Sequence, residues 1–155
     1  MVGSDPILKF YYLGGCVGAV VDESVGCISH EAAAGFIRNA GTVGAYPAEF
    51  AITLGSATGS IMFRFNSFTV PDKYVMLWNG NEVINTGYRG NTAYQATLNT
   101  TLATRGLPPE TIVAPGNGTT SFLKTGSAAT AIVRVYSPLK STSWNWTASC
   151  PGQTV

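Results

Sequence analysis

The sequence predicts an all-β fold: an antiparallel, jelly-roll-like β-sandwich with one or two short helices in its connections and an extended N-terminal arm. Three observations predict it. Ile61, Phe63 and Phe65 alternate with Met62, Arg64 and Asn66, the period-2 pattern of a strand that buries one face. Asn79-Gly80 separates two apolar runs, and this dipeptide adopts the positive φ angles of a tight hairpin turn. The other β-branched and aromatic runs are short and punctuated by Gly, Pro, Asn and Ser, with no parallel β-α-β repeat, as in a sandwich.

Residues 1–60 hold ten of the eighteen glycines and no long periodicity, so short strands, turns and an arm are expected there. Ser29 is placed to cap a short helix through His30, Glu31, Ala32, Ala33 and Ala34 toward Phe36 and Ile37, with Gly35 and Gly41 limiting its length. A half-buried strand runs from Ser60 to Val70-Pro71. The hairpin follows, entering through Lys73-Tyr74-Val75-Met76-Leu77-Trp78 and leaving through Glu82-Val83-Ile84. Tyr94, Leu98 and Leu102 recur every four residues, and Gly106 with Pro108-Pro109 supplies a stop, so a helix of about three turns fits. Strands are expected at 119–123, 131–136 and 144–147. The length of 155 residues suits one domain, with residues 1–54 as arm and first strands packing on or bridging from a sandwich over residues 55–155.

The composition is 45% hydrophobic and 11% charged, against about 25% charged in an ordinary globular protein. A surface so neutral resists association weakly and suits a chain packed against its own copies or a large partner. The net charge is +1 and no window holds a run of Lys or Arg, which argues against a nucleic-acid partner. The charge is split, however: residues 1–60 carry two basic and five acidic side chains, and residues 61–155 carry seven and three. No apolar run approaches the roughly 20 residues of a membrane span, and Met-Val-Gly-Ser-Asp-Pro lacks the basic region of a secretory signal. No membrane partner and synthesis in the cytoplasm are therefore expected. Cys16, Cys27 and Cys150 lack metal spacing. They are expected as small buried residues, with Cys150 free and a Cys16 to Cys27 bridge the less favoured state of a cytoplasmic product.

Catalytic chemistry finds little material. His30 is the only histidine, and no second one follows four positions on as a zinc-binding helix requires. The acids are scattered singly except Asp22-Glu23, which would point to opposite faces of a strand. No Gly-x-Ser-x-Gly elbow is present. Gly116-Asn117-Gly118-Thr119-Thr120 lacks the Gly-Lys-Ser/Thr ending of a phosphate loop and is expected to be a strand-connecting turn. Asp72, Asn79, Asn81 and Asn85 offer too little carboxylate for calcium. No catalytic residue, cofactor or metal is expected. Trp78, Tyr88, Tyr94, Trp144 and Trp146 have faces suited to sugar C–H groups. Trp144 and Trp146, two apart on a strand, form an aromatic platform if their face is exposed and core if it is inner.

Phe63-Arg64-Phe65-Asn66-Ser67-Phe68-Thr69-Val70-Pro71-Asp72-Lys73-Tyr74, then Trp78-Asn79-Gly80 and Val83-Ile84-Asn85-Thr86-Gly87-Tyr88-Arg89-Gly90, resemble a recurring β-sandwich module of bacteriophage virion proteins and bacterial surface proteins. Gly118 to Lys124, Val133 to Leu139 and Thr142 to Pro151 resemble its closing strands, so the likeness covers about residues 55–151. It implies a non-catalytic building or attachment block and carries over no active-site residue. Related sequences often have Asp in the hairpin where this one has Asn79 and Asn85. The function implied is that of a virion structural protein, a capsid decoration (cement) protein on the phage head surface, forming a homotrimer and contacting the major capsid protein or another virion protein. The alternative is a tail-fibre or baseplate adhesion module binding host-surface carbohydrate through Trp144 and Trp146. Residues 1–54 lie outside the likeness, and a low-charge, glycine-rich arm bearing Phe10, Tyr11 and Tyr12 is suited to burying aromatic area against neighbouring subunits.

Overall fold

The structure, a computed structural model, describes residues 7–11, 17–22 and 47–153. Its strands are β1 (Ile7–Tyr11), β2 (Val17–Asp22), β3 (Ala48–Thr53), β4 (Gly59–Asn66), β5 (Asp72–Trp78), β6 (Asn81–Arg89), β7 (Ile112–Val113), β8 (Asn117–Lys124), β9 (Thr130–Tyr136) and β10 (Asn145–Ala148), with one helix, α1 (Gln95–Thr104). They form two five-stranded sheets, ordered β1-β2-β10-β4-β8 and β3-β9-β5-β6-β7. The all-β sandwich expected from the sequence is the observed architecture.

The period-2 pattern explains how the sheets face each other. On β4, Ile61, Phe63 and Phe65 are buried and Arg64 is exposed; on β9, Ala131, Val133 and Val135 are buried between half-exposed neighbours. These inner faces meet in one apolar core with Phe50, Met76, Trp144 and Trp146. Residues 1–54 contribute to both sheets: β3 pairs with β9, and β2 pairs with β10 and with β1. The helix expected around His30 to Ile37, with Tyr12 and Glu23, lies outside the described residues.

Asn79 and Gly80 take φ of 52° and 79° and join β5 to β6, both positive as the hairpin pattern requires. Strand β4 stops at Asn66 rather than Val70. The Asn66 carboxamide oxygen accepts the Phe68 N–H at 2.8 Å, and Phe68 has a φ of 57°, so the chain turns where side-chain capping replaces ladder bonding. Only Gly fits at 116, because a Cβ there would stand 2.4 Å from the Phe68 carbonyl oxygen. The stretch expected as a turn at 116–120 is mostly the start of β8. Arg89 anchors it, donating from Nε to the Pro115 carbonyl at 3.0 Å and from Nη2 to that of Asn117 at 3.2 Å.

One feature departs from an antiparallel sandwich. β7 runs parallel to β6, and α1 is the crossover between them, so the described residues contain one short β-α-β unit. β6 carries an extra residue opposite β5, since Lys73 aligns with Tyr88 whereas Val75 aligns with Asn85. That bulge, with Gly87 at φ 65°, reverses the alternation. Ile84 points into the main core, while Tyr88 joins Leu98, Leu102 and Ile112 in a second cluster. The four-residue spacing read from the sequence thus places Leu98 and Leu102 on the buried side of α1. Leu98→Ala is expected to cost about 2–5 kcal/mol. Hydrogen exchange should show protection lost in α1 and retained in β4, β5 and β9; uniform loss would show instead that α1 unfolds only with the sandwich.

Candidate binding surfaces

Trp144 and Trp146 are both 0% exposed. This corrects the carbohydrate platform proposed for them: β10 lies inside its sheet between β2 and β4, and its inner face is closed by the opposite sheet. Phe50 meets both indoles edge-on, with centroids 5.9 Å and 5.6 Å away. Replacing either tryptophan would report on folding rather than on sugar binding. Phe10 and Tyr11 lie on β1, the outermost described strand of its sheet, in register with Gly18 and Val17. Tyr12 and His30 lie outside the described residues.

Cys150 is not free. It is buried and disulfide-bonded, and the only other cysteines of the sequence are Cys16 and Cys27, both outside the described residues.

The hairpin amides serve the turn. Asn85 donates to Glu82 at 3.2 Å and accepts the Gly87 N–H at 2.9 Å, and Asn81 donates to the Asn79 carbonyl at 3.4 Å. Asp72 is buried away from them, accepting the Thr142 hydroxyl at 2.7 Å and 2.9 Å. No group of three or more His, Cys, Asp or Glu is arranged to hold a metal ion among the described residues.

The interior ionisable groups brace loops. Lys124 is fully buried and donates to the carbonyls of Ala57 at 2.7 Å and Gly126 at 2.6 Å, over the Trp78 ring at 5.8 Å. Burial pushes its pKa down, since desolvation disfavours the charged form. Lys73 lies between the rings of Tyr88 and Tyr136, at 5.0 Å and 4.9 Å, and bonds Glu110 at 2.9 Å, which ties the segment after α1 to β5. Arg134 bonds Glu49 at 2.6 Å across β9 and β3.

Two open surfaces lie among the described residues. On the outer face of the first sheet, Asn145, Asn66 and Asn117 align across three strands, and Thr147, Arg64 and Thr119 form the next row. A shallow recess of about 190 Å³ lies among them. Arg64 is the only charge of these rows on β10, β4 and β8, and Asp22 of β2 stands next in the first row, in register with Asn145; β8 continues the face with exposed Ser121 and Leu123. The second surface is a groove of about 510 Å³, lined by Tyr94, Thr97, Thr101, Thr104 and Arg105 from α1 and its ends and by Pro138, Leu139 and Lys140 from the segment after β9. The threonines recur at i, i+4 and i+7, a helical signal in the sequence that the search for catalytic motifs passed over.

Tyr74 connects the interior to pH. Its hydroxyl lies 3.0 Å from the Ser67 hydroxyl, and its pKa stands well above 10.0 because of burial and the Asp72 charge, against the Ser67 hydrogen bond. The folded state keeps this phenol protonated while the unfolded chain loses the proton above pH 10, so stability falls as pH rises past that value. Buried Lys124 acts oppositely, since deprotonation below its ordinary 10.5 relieves its desolvation. Tyr74→Phe should lower stability near neutrality by about 1 kcal/mol and flatten the loss above pH 10, as read from melting temperature against pH. An unchanged alkaline slope would assign that loss to another group.

No protein-family model, curated protein or solved structure matches this chain, so its function is argued from these two surfaces and the interior that supports them.

Proposed function

We propose that the chain is a non-enzymatic structural protein of a bacteriophage virion: a capsid decoration (cement) protein that sits on the head surface as a homotrimer and contacts the major capsid protein. The observation that carries this is the outer face built on β10, β4 and β8, where amides and hydroxyls align in rows with Arg64 as the single charge on those strands and Asp22 of β2 next to Asn145. Such groups exchange hydrogen bonds with water for hydrogen bonds with a partner at small cost, whereas buried charge is expensive. Nearly neutral and built on paired strands, the face is suited to broad contact with another protein surface.

The interior supports the same reading. Asp72, Lys73, Lys124 and Arg134 all engage partners that hold strands and loops together. The Cys150 disulfide fits a protein whose working life is outside a reducing cytoplasm. The adhesion reading loses Trp144 and Trp146 as contacts, and the groove beside α1 is what favours it.

Light scattering of the purified chain, alone and mixed with undecorated phage heads, tests the proposal. A trimer that saturates heads is the expected result; a monomer without head affinity overturns it. The double variant Thr119→Glu, Ser121→Lys places charge on exposed positions of β8 and should leave the melting temperature within a few degrees while weakening head binding tenfold or more. Unchanged binding would move the contact to another face.

A further inference from the structure

We infer that the groove between α1 and residues 138–140 is a binding site for an anionic saccharide, an inference that does not rest on the virion reading. Its helical wall presents Thr97, Thr101 and Thr104, which share one side of α1 and span about 10 Å along its axis, room for two sugar rings. Thr104 donates its proton to the Thr101 carbonyl at 2.6 Å, leaving its oxygen to accept. The hydroxyls of Thr97 and Thr101 make no hydrogen bond among the described residues and can donate as well as accept, as sugar hydroxyls do.

The opposite wall has different chemistry. Pro138 and Leu139 are buried and apolar, and the half-buried Tyr94 ring stands on the helical side. Together they offer a surface for the C–H faces of a sugar ring. Ser137, which precedes this wall, is fully buried, and its hydroxyl has no partner among the described residues.

Charge sets the ligand class. Lys140 and Arg105 are both exposed and line the groove, Arg105 itself engaged in a further contact; no lining residue is acidic. Among the described acids, Glu49, Asp72, Glu82 and Glu110 are bonded elsewhere, to Arg134, Thr142, Asn85 and Lys73. A carboxylated sugar can place its charge near Lys140 and its hydroxyls along the threonine row. The volume of about 510 Å³ lies within the range of ligand pockets, about 300–1,000 Å³.

Two-dimensional ¹H–¹⁵N NMR of the whole chain, titrated with trigalacturonate and with 3′-sialyllactose, tests the inference, with maltotriose and a hexaglutamate peptide as controls. Saturable shifts centred on Thr97, Thr101, Leu139 and Lys140 are expected with at least one acidic sugar, bound at least tenfold more tightly than maltotriose. Lys140→Glu should weaken this binding tenfold or more, and Thr101→Val severalfold, both at unchanged melting temperature. Absence of saturable shifts with both acidic sugars overturns the inference. So do equal affinity for maltotriose, the same shifts at equal affinity with hexaglutamate, or full binding by Lys140→Glu. Because the chain is titrated alone, failure to bind phage heads leaves this outcome untouched.

Discussion

Trp146 lies nearly flat against Phe63, with ring centroids 5.6 Å apart and planes 27° from parallel, and takes the edge of Phe50 from the opposite sheet. These rings come from β10, β4 and β3, which are distant in sequence, and the packing of one requires the others to be in place. Aromatic pairs of this kind add about 0.5–1.5 kcal/mol each beyond the area they bury. Phe63 continues the network to Phe65 and Tyr74. The outer rows of amides and hydroxyls inherit their alignment from this core, because a residue fixed inward on β4 or β10 fixes its neighbours outward.

The groove depends on a second, smaller constraint. Tyr88 reaches the α1 side of its sheet only because β6 carries an extra residue near Gly87, and it then packs with Leu98, Leu102 and Ile112. The Lys73 ammonium between Tyr88 and Tyr136, with its bond to Glu110, fastens the return from α1. With Leu98 and Leu102 buried, Thr97 and Thr101, each one position before a buried leucine, and Thr104, two after Leu102, are left on the adjoining, more accessible side. One bulge therefore links the sheet register to the position of the groove.

The charge distribution follows the same division. Buried or half-buried charges in the sandwich meet a partner: Asp72 a hydroxyl, Lys124 two carbonyls and Arg134 a carboxylate. This is the condition under which burying them is tolerable. With so few charged residues in the chain, this leaves the outer face nearly neutral and the groove rim basic. The two surfaces thus differ in chemistry, rows of neutral amides and hydroxyls on one and a basic rim with threonine hydroxyls on the other.

Local pattern in the sequence determined the strand alternation of β4, the Asn79-Gly80 hairpin, the buried side of α1 and the absence of familiar catalytic motifs, since each depends on residues within a turn or two of one another. Tertiary structure decided the rest. Period 2 places Trp144 and Trp146 on one face but does not say whether that face meets water or Phe50. The parallel pairing of β7, the bulge that redirects Tyr88 and the disulfide at Cys150 arise from alignments between segments far apart in the chain. The groove is likewise tertiary: its threonines are periodic in sequence, but Leu139 and Lys140 reach them only when β9 has crossed the sheet, because a binding site is a property of which surfaces the fold brings together.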